Sequence, residues 1–128
     1  MKFAKVVFAV AGIWGVAVLT PLLFMYDRVG LVYPPALTHP EFYYGFVATV
    51  LVWQIAFFVI AANPARFRPI MIPAILEKFG YVVAICILYW QARLSRPQFL
   101  VGSADFVLGI LFVAAFFKSQ SASSLRAS

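Results

Sequence analysis

Four long apolar stretches divide this chain, and its charged residues fall mostly between them. The first runs from Phe3 to Met25, with Lys5 its only charge. The second runs from Glu41 or Phe42 to Ala62, the third from Ile72 to Gln91, the fourth from Gln98 to Phe117. A helix needs about 20 mainly apolar residues to cross the hydrocarbon core of a bilayer, and each stretch meets that length. A spanning strand would alternate apolar and polar residues with a period of two, and these stretches do not. The pattern predicts helices over 3–25, 41–62, 72–91 and 98–117 in a single domain, 1–117. The expected fold is an all-α integral membrane four-helix bundle, up-down-up-down.

The connections carry the helix-breaking residues. Tyr26 to Pro40 holds Asp27, Arg28, Pro34, Pro35 and Pro40 and reads as an extended loop. NPARFRPIM, 63–71, reads as a short turn, with Pro73 where a helix begins without losing a hydrogen bond. ARLSRP, 92–97, is short enough to force an antiparallel hairpin. The Ser-rich segment 118–128 reads as a disordered polar tail. The first stretch reads as a retained helix. It is too long for the apolar core of a signal peptide, and no small-residue cleavage pattern follows it. No repeat relates the two halves, which argues against an internally duplicated transporter.

Composition narrows the class. Hydrophobic residues make up 65% of the 128, charged residues 11%, and the mean hydropathy is +0.98. A soluble domain of this size buries only about 60–70% of its chain surface, too little to hide so much apolar area. A soluble enzyme, a nucleic-acid-binding module and a disordered protein are excluded. The net charge of +6 comes from Lys and Arg scattered singly or in pairs, with no basic stripe. The expected partner is the lipid bilayer, not nucleic acid. One cysteine, Cys86, and one histidine, His39, cannot form an internal disulfide, a structural zinc site or a bis-histidine haem site. No metal and no cofactor is expected.

Charge also bears on topology. Lys2, Lys5, Arg66, Arg68, Lys118 and Arg126 fall on one side, with Lys78 close by, against Arg28, Arg93 and Arg96 on the other. The positive-inside rule then predicts a multi-pass protein of a bacterial inner membrane with both termini cytoplasmic. Tyr26, Tyr33, Tyr43, Tyr44, Tyr89 and Trp90 gather on the opposite side, as an interfacial belt or as a polar-aromatic mouth.

Polar residues inside the spans are the candidate chemistry, because ionisable groups there are costly and usually face the bundle interior. Asp105 has Gly102 and Gly109 at i−3 and i+4, a small-residue face that lets another helix approach. Arg93 or Arg96 is its nearest partner in sequence. The carboxylate reads either as a helix lock or as a proton-handling or ligand-binding group. Glu77 and Lys78 fall in the first turns of the predicted third helix, where Lys78 can snorkel to headgroups. Glu77 and Tyr81, at i and i+4, can line a small inner polar site. Gln54 and Trp53 lie near the middle of the second helix, and Gln54 is expected to hydrogen-bond across the bundle. Ala11 and Gly15, with Gly12 beside them, form a small-residue pair in the first helix. HPEFYYGF sets His39, Glu41, Tyr43 and Tyr44 at the start of the second helix. The catalytic candidates are therefore Asp105, His39 and Glu41. The ligand-binding candidates are Asp105, Gln54, Tyr43, Tyr44, Arg93 and Trp53.

In length and hydropathy the whole chain resembles the small bacterial four-helix membrane proteins grouped as DoxX-like, and the string NPARFRPIMIPAILEKFGY, 63–81, resembles a signature of uncharacterised bacterial membrane proteins. The resemblance implies the fold and no activity. Small multidrug transporters share the helix count, but their pattern needs an embedded Glu in the first helix, and Phe3 to Met25 has no acidic residue. Three readings follow. The first is an accessory or scaffold subunit, as a homo-oligomer or within a larger membrane complex. The second is a membrane enzyme or lipid-binding protein with an apolar substrate near the outer face. The third is a proton-coupled carrier using Asp105 or Glu77.

Overall fold

The computed structural model describes the backbone of residues 2–127 and the side chains of residues 2–119. Four helical spans are long and apolar enough to cross a membrane: Lys2–Phe24, Pro40–Ala62, Arg68–Trp90 and Arg96–Ser119. No strand occurs among the described residues, and the fold is an all-α four-helix bundle.

The first span consists of α1 (Lys2–Leu19) and a tight 3-10 turn, Thr20–Phe24. Pro21 has no N–H to continue the α-type ladder, which accounts for the change of pitch there. The segment expected to be an extended loop instead holds a short helix, α2 (Tyr26–Val32). The prolines of this connection all lie beyond Tyr33, so nothing in YDRVGLV breaks a helix outright. The Tyr26 hydroxyl donates to the Leu37 carbonyl at 2.9 Å and folds the remaining loop back.

The second span is α3 (Pro40–Ala62), which starts with a proline in its first turn. Asn63 closes the turn that follows. Its side-chain oxygen accepts from the Arg66 N–H at 3.2 Å and its carbonyl from the Phe67 N–H at 3.1 Å. A 3-10 turn at Arg68–Ile70 runs straight into α4 (Met71–Trp90). The third span therefore begins at Arg68, earlier than Pro73 suggests.

Two residues past the end of α4, Ala92 takes a φ of 60°, in the left-handed region. The Arg93 N–H reaches back to the Leu88 carbonyl at 2.8 Å, a helix ending that usually takes glycine. Ser95 then opens α5 (Arg96–Gly102) with a capping box: its hydroxyl accepts from the Gln98 N–H while the Gln98 side chain accepts from the Ser95 N–H. α6 (Ala104–Ala127) follows after a break at Ser103. The Ser103 hydroxyl donates to the Leu100 carbonyl at 2.6 Å, a back-bond of the kind that bends helices. Of the expected tail 118–128, Lys118 and Ser119 pack as part of α6. The Lys118 ammonium sits 4.1 Å from the Phe3 ring centre, and buried Ser119 donates to the Ala115 carbonyl at 2.7 Å. The side chains beyond Ser119 lie outside the described residues.

α1 is the central helix. It packs closely on α3 and on α6, α6 packs on α4, and α3 and α4 barely touch. Near the end that carries Lys2 the interior is solid. Phe8 stacks on Phe112 with ring centres 4.3 Å apart, and Phe57 meets Phe112 edge-on at 5.0 Å. Ala4, Ala11, Ala74 and Ala115 fill the gaps between these rings. Gly12 lets α3 come close, since a Cβ there would lie 2.7 Å from the Phe58 ring. Arg68 ties the same end together, donating to the Phe116 carbonyl at 3.0 Å with its guanidinium 3.7 Å from the Phe116 ring centre.

Candidate functional site

Toward the opposite end the bundle does not close. A cavity of about 410 Å³ lies between α1, α3, α4 and the α5–α6 span. Pockets that take small molecules run from about 300 to 1,000 Å³. Its walls are apolar: Trp14, Val18 and Leu22 from the first span, Phe46 and Val50 from α3, Val101 from α5. Its polar lining is Gln54, Glu77, Lys78, Tyr81 and Asp105. The sparse contact between α3 and α4 leaves this side of the bundle laterally open.

Lys78 is the centre of the polar group. It was expected to snorkel to the headgroups from the start of its helix. Instead it stands next to the midpoint of the span Arg68–Trp90 and is 3% exposed. The Arg68–Ile70 turn lengthens the span at its front and so carries Lys78 inward. Its ammonium lies 3.3 Å from Asp105 Oδ1 and 3.6 Å from Glu77 Oε2, and 5.3 Å from the Phe57 ring centre.

Asp105 thus pairs with Lys78 across α4 and α6, and not with Arg93 or Arg96, which are both exposed in and after the α4–α5 turn. Glycine makes the approach possible. A Cβ on Gly102 would come within 2.6 Å of Ile85 Cδ1, and one on Gly109 within 2.9 Å of Phe79 Cζ. The small-residue face read from the sequence therefore faces α4.

Gln54 departs from expectation in a different way. Its amide N–H donates to the Val50 carbonyl of its own helix at 2.8 Å, with no bond across the bundle. The side chain is 0% exposed, and its Oε1 has no hydrogen-bond partner in the protein. It fits over Gly15, where any Cβ would collide with the amide. Glu77 Oε2 likewise accepts no hydrogen bond. A buried polar atom left unmet costs about 1–3 kcal/mol. Gln54 and Glu77 both line the cavity, and Glu77 Oε2 has Lys78 as an ion-pair partner only.

Tyr81, expected beside Glu77 in an inner site, lines this same cavity, with its ring stacked on Phe46 at 6.4 Å between centres. Asp105, Gln54, Glu77 and Tyr81, expected at separate outer and inner positions, thus line one cavity near mid-span. The remaining candidates do not join them. His39 and Glu41 pair with each other at 3.2 Å on the surface, 64% and 62% exposed. Tyr43 donates to the Leu22 carbonyl at 2.6 Å and Tyr44 stacks on Tyr26 with centres 5.5 Å apart. Desolvation, then the charges of Asp27 and Glu41, raise the Tyr26 phenol above its ordinary pKa. Arg93 is exposed, and Trp53 packs toward Phe57 on the solid side. Among the described residues no group of three His, Cys, Asp or Glu side chains is placed to hold a metal ion.

Sequence reasoning missed Lys78, Trp14 and Gly15 as site residues. A helix started at Arg68 would have carried Lys78 to mid-span, and Gly15 belonged to the small-residue pair with Ala11. The arrangement can hold a polar group at mid-membrane while its walls enclose an apolar body. The chain matches no protein-family model, no curated protein and no solved structure with which it was compared.

Proposed function

We propose that this is a multi-pass membrane protein that binds a small amphiphilic molecule inside the bilayer. The observation that carries the reading is the cavity with Gln54, Glu77, Lys78 and Asp105 at mid-span. Ionisable groups at that depth are expensive and mark functional sites in membrane proteins. An accessory or scaffold subunit needs apolar packing surface and no buried charge. Its exposed apolar faces are what lipid contact demands of any span, so they do not favour that reading. The phenylalanine packing beyond the site favours binding over carriage, because a carrier would have to open it.

The bacterial inner membrane with cytoplasmic termini belongs to the same proposal. With Lys78 withdrawn into the bundle, Lys2, Lys5, Arg66, Arg68 and Lys118 still outnumber Arg28, Arg93 and Arg96. The DoxX-like layout is part of this proposal too.

Native mass spectrometry of the protein extracted in mild detergent tests the reading. Wild type should retain a small-molecule adduct. Val50→Trp, which fills the cavity while keeping the helical circular dichroism, should lose it. An adduct held equally by both proteins sits on the outer surface and overturns the proposal.

A further inference from the structure

The amphiphile-binding reading leaves the polar end of the occupant open, and the site's own chemistry constrains it. Resting on that reading, we infer that the occupant carries an amine: a protonated, N–H-bearing head at the Lys78 cluster and an apolar body against Trp14, Val50 and Leu22. Gln54 Oε1 and Glu77 Oε2 accept no hydrogen bond within the protein, and Glu77 Oε2 meets Lys78 only as an ion pair at 3.6 Å. The ammonium of Lys78 is already engaged by Asp105 and Glu77. A head that only accepts hydrogen bonds, such as a carboxylate, phosphate or ketone, would give neither acceptor a hydrogen bond. A carboxylate or phosphate would also bring negative charge beside two carboxylates.

Charge points the same way. Glu77 and Asp105 face a single cation, so the cluster in its ionised form carries one negative charge in excess. An alcohol supplies a donor but no charge. An ammonium supplies up to three donors and the balancing charge together. The stacked rings of Phe46 and Tyr81 line the same cavity and favour a cation over an anion.

The test uses the full chain in phosphatidylcholine nanodiscs and isothermal titration with three water-soluble probes of one shape: phenylbutylamine, phenylbutanol and phenylbutyrate. The amine should bind at least about tenfold more tightly than the alcohol, a difference of about 1.4 kcal/mol, with the carboxylate weakest. Glu77→Gln should bring the amine down to the level of the alcohol and leave the alcohol unchanged. Asp105→Asn serves the same purpose if Glu77→Gln does not fold. Equal binding of the three probes, or tightest binding of phenylbutyrate, overturns the amine assignment while the cavity reading stands. No binding by any probe, with no adduct on the wild-type protein, removes both. An amine head can belong to a free amphiphile or to a lipid, and phosphatidylethanolamine added to the nanodiscs separates them. Competition with phenylbutylamine identifies a lipid amine, and unaltered binding identifies a free one.

Discussion

The two halves of this bundle are built from the same four apolar spans and have opposite interiors. Toward Lys2, three phenylalanines and a set of alanines interlock and leave no room. Toward the loops, Val18, Leu22, Val50 and Val101 surround open volume. Lipid tails are as apolar as these side chains, so the hydrophobic effect does not by itself draw one helix onto another in a bilayer. Cohesion must come from close contact and from polar bonds. The solid half has the contacts. The open half has fewer, chiefly Gly102 against Ile85, the Tyr43 bond to the Leu22 carbonyl and the Lys78 cluster, which stands where the two meet. Hydropathy places a residue in the membrane; it does not say whether the space beside it is filled.

If that division is right, the largest effect belongs to the cluster at the boundary. Lys78→Met leaves the half-buried Glu77 and Asp105 without their cation. Removing one partner of a buried ion pair costs about 3–5 kcal/mol. Thermal unfolding in detergent should show a large drop in midpoint. Adding Glu77→Gln and Asp105→Asn to Lys78→Met should recover most of it, because no uncompensated charge remains. A single Lys78→Met variant as stable as wild type would mean that the cluster does not hold α4 to α6.

The second effect contrasts the halves directly. Phe112→Ala removes the ring on which Phe8 and Phe57 converge and should cost about 3 kcal/mol, the lower end for a buried aromatic since lipid competes for the space. Leu22→Ala enlarges a cavity that already exists and should cost under about 1 kcal/mol. The Tyr43 bond to the Leu22 carbonyl survives that change, because it uses the backbone. Equal losses for the two variants would show that the open half is packed as tightly as the solid one.

How much of this was legible in the sequence follows from the range of the interactions. The four spans depend on runs of apolar residues, so their existence was readable from the chain alone. The closeness of α4 and α6 was readable from Gly102 and Gly109 flanking Asp105 at helical spacing. The partner of Asp105 was not, because Lys78 lies 27 residues away while Arg93 and Arg96 are near in sequence. Depth failed for a local reason. Pro73 reads as a helix start, yet a proline in the first turn is tolerated, and the turn at Arg68–Ile70 continues into it. Gln54 was readable as a buried amide but its bonding was not, since that depends on the bare backbone of Gly15 passing over it. His39 and Glu41 drew attention by residue type, and they pair with each other on the surface.

The smallest expected effect is the sharpest test of whether stability and binding really lie in different halves. Gly15 is inside α1, where alanine is favoured over glycine by about 1 kcal/mol. Against that gain, the new methyl group collides with the Gln54 amide. The amide is the end of a flexible side chain and has the cavity to move into, so it can yield without shifting either helix. Gly15→Ala should therefore unfold within about 1 kcal/mol of wild type. The displaced amide now occupies the polar end of the cavity, where the ligand head would sit. Binding of phenylbutylamine should weaken by roughly tenfold or more at nearly unchanged stability. Gly12→Ala is the matched control on the solid side. Its methyl group meets the Phe58 ring, away from the site, and should leave the titration unaltered. Weakened binding in both variants would mean that the amine is sensed through the α1–α3 contact as a whole, and the boundary between the halves would lose its meaning.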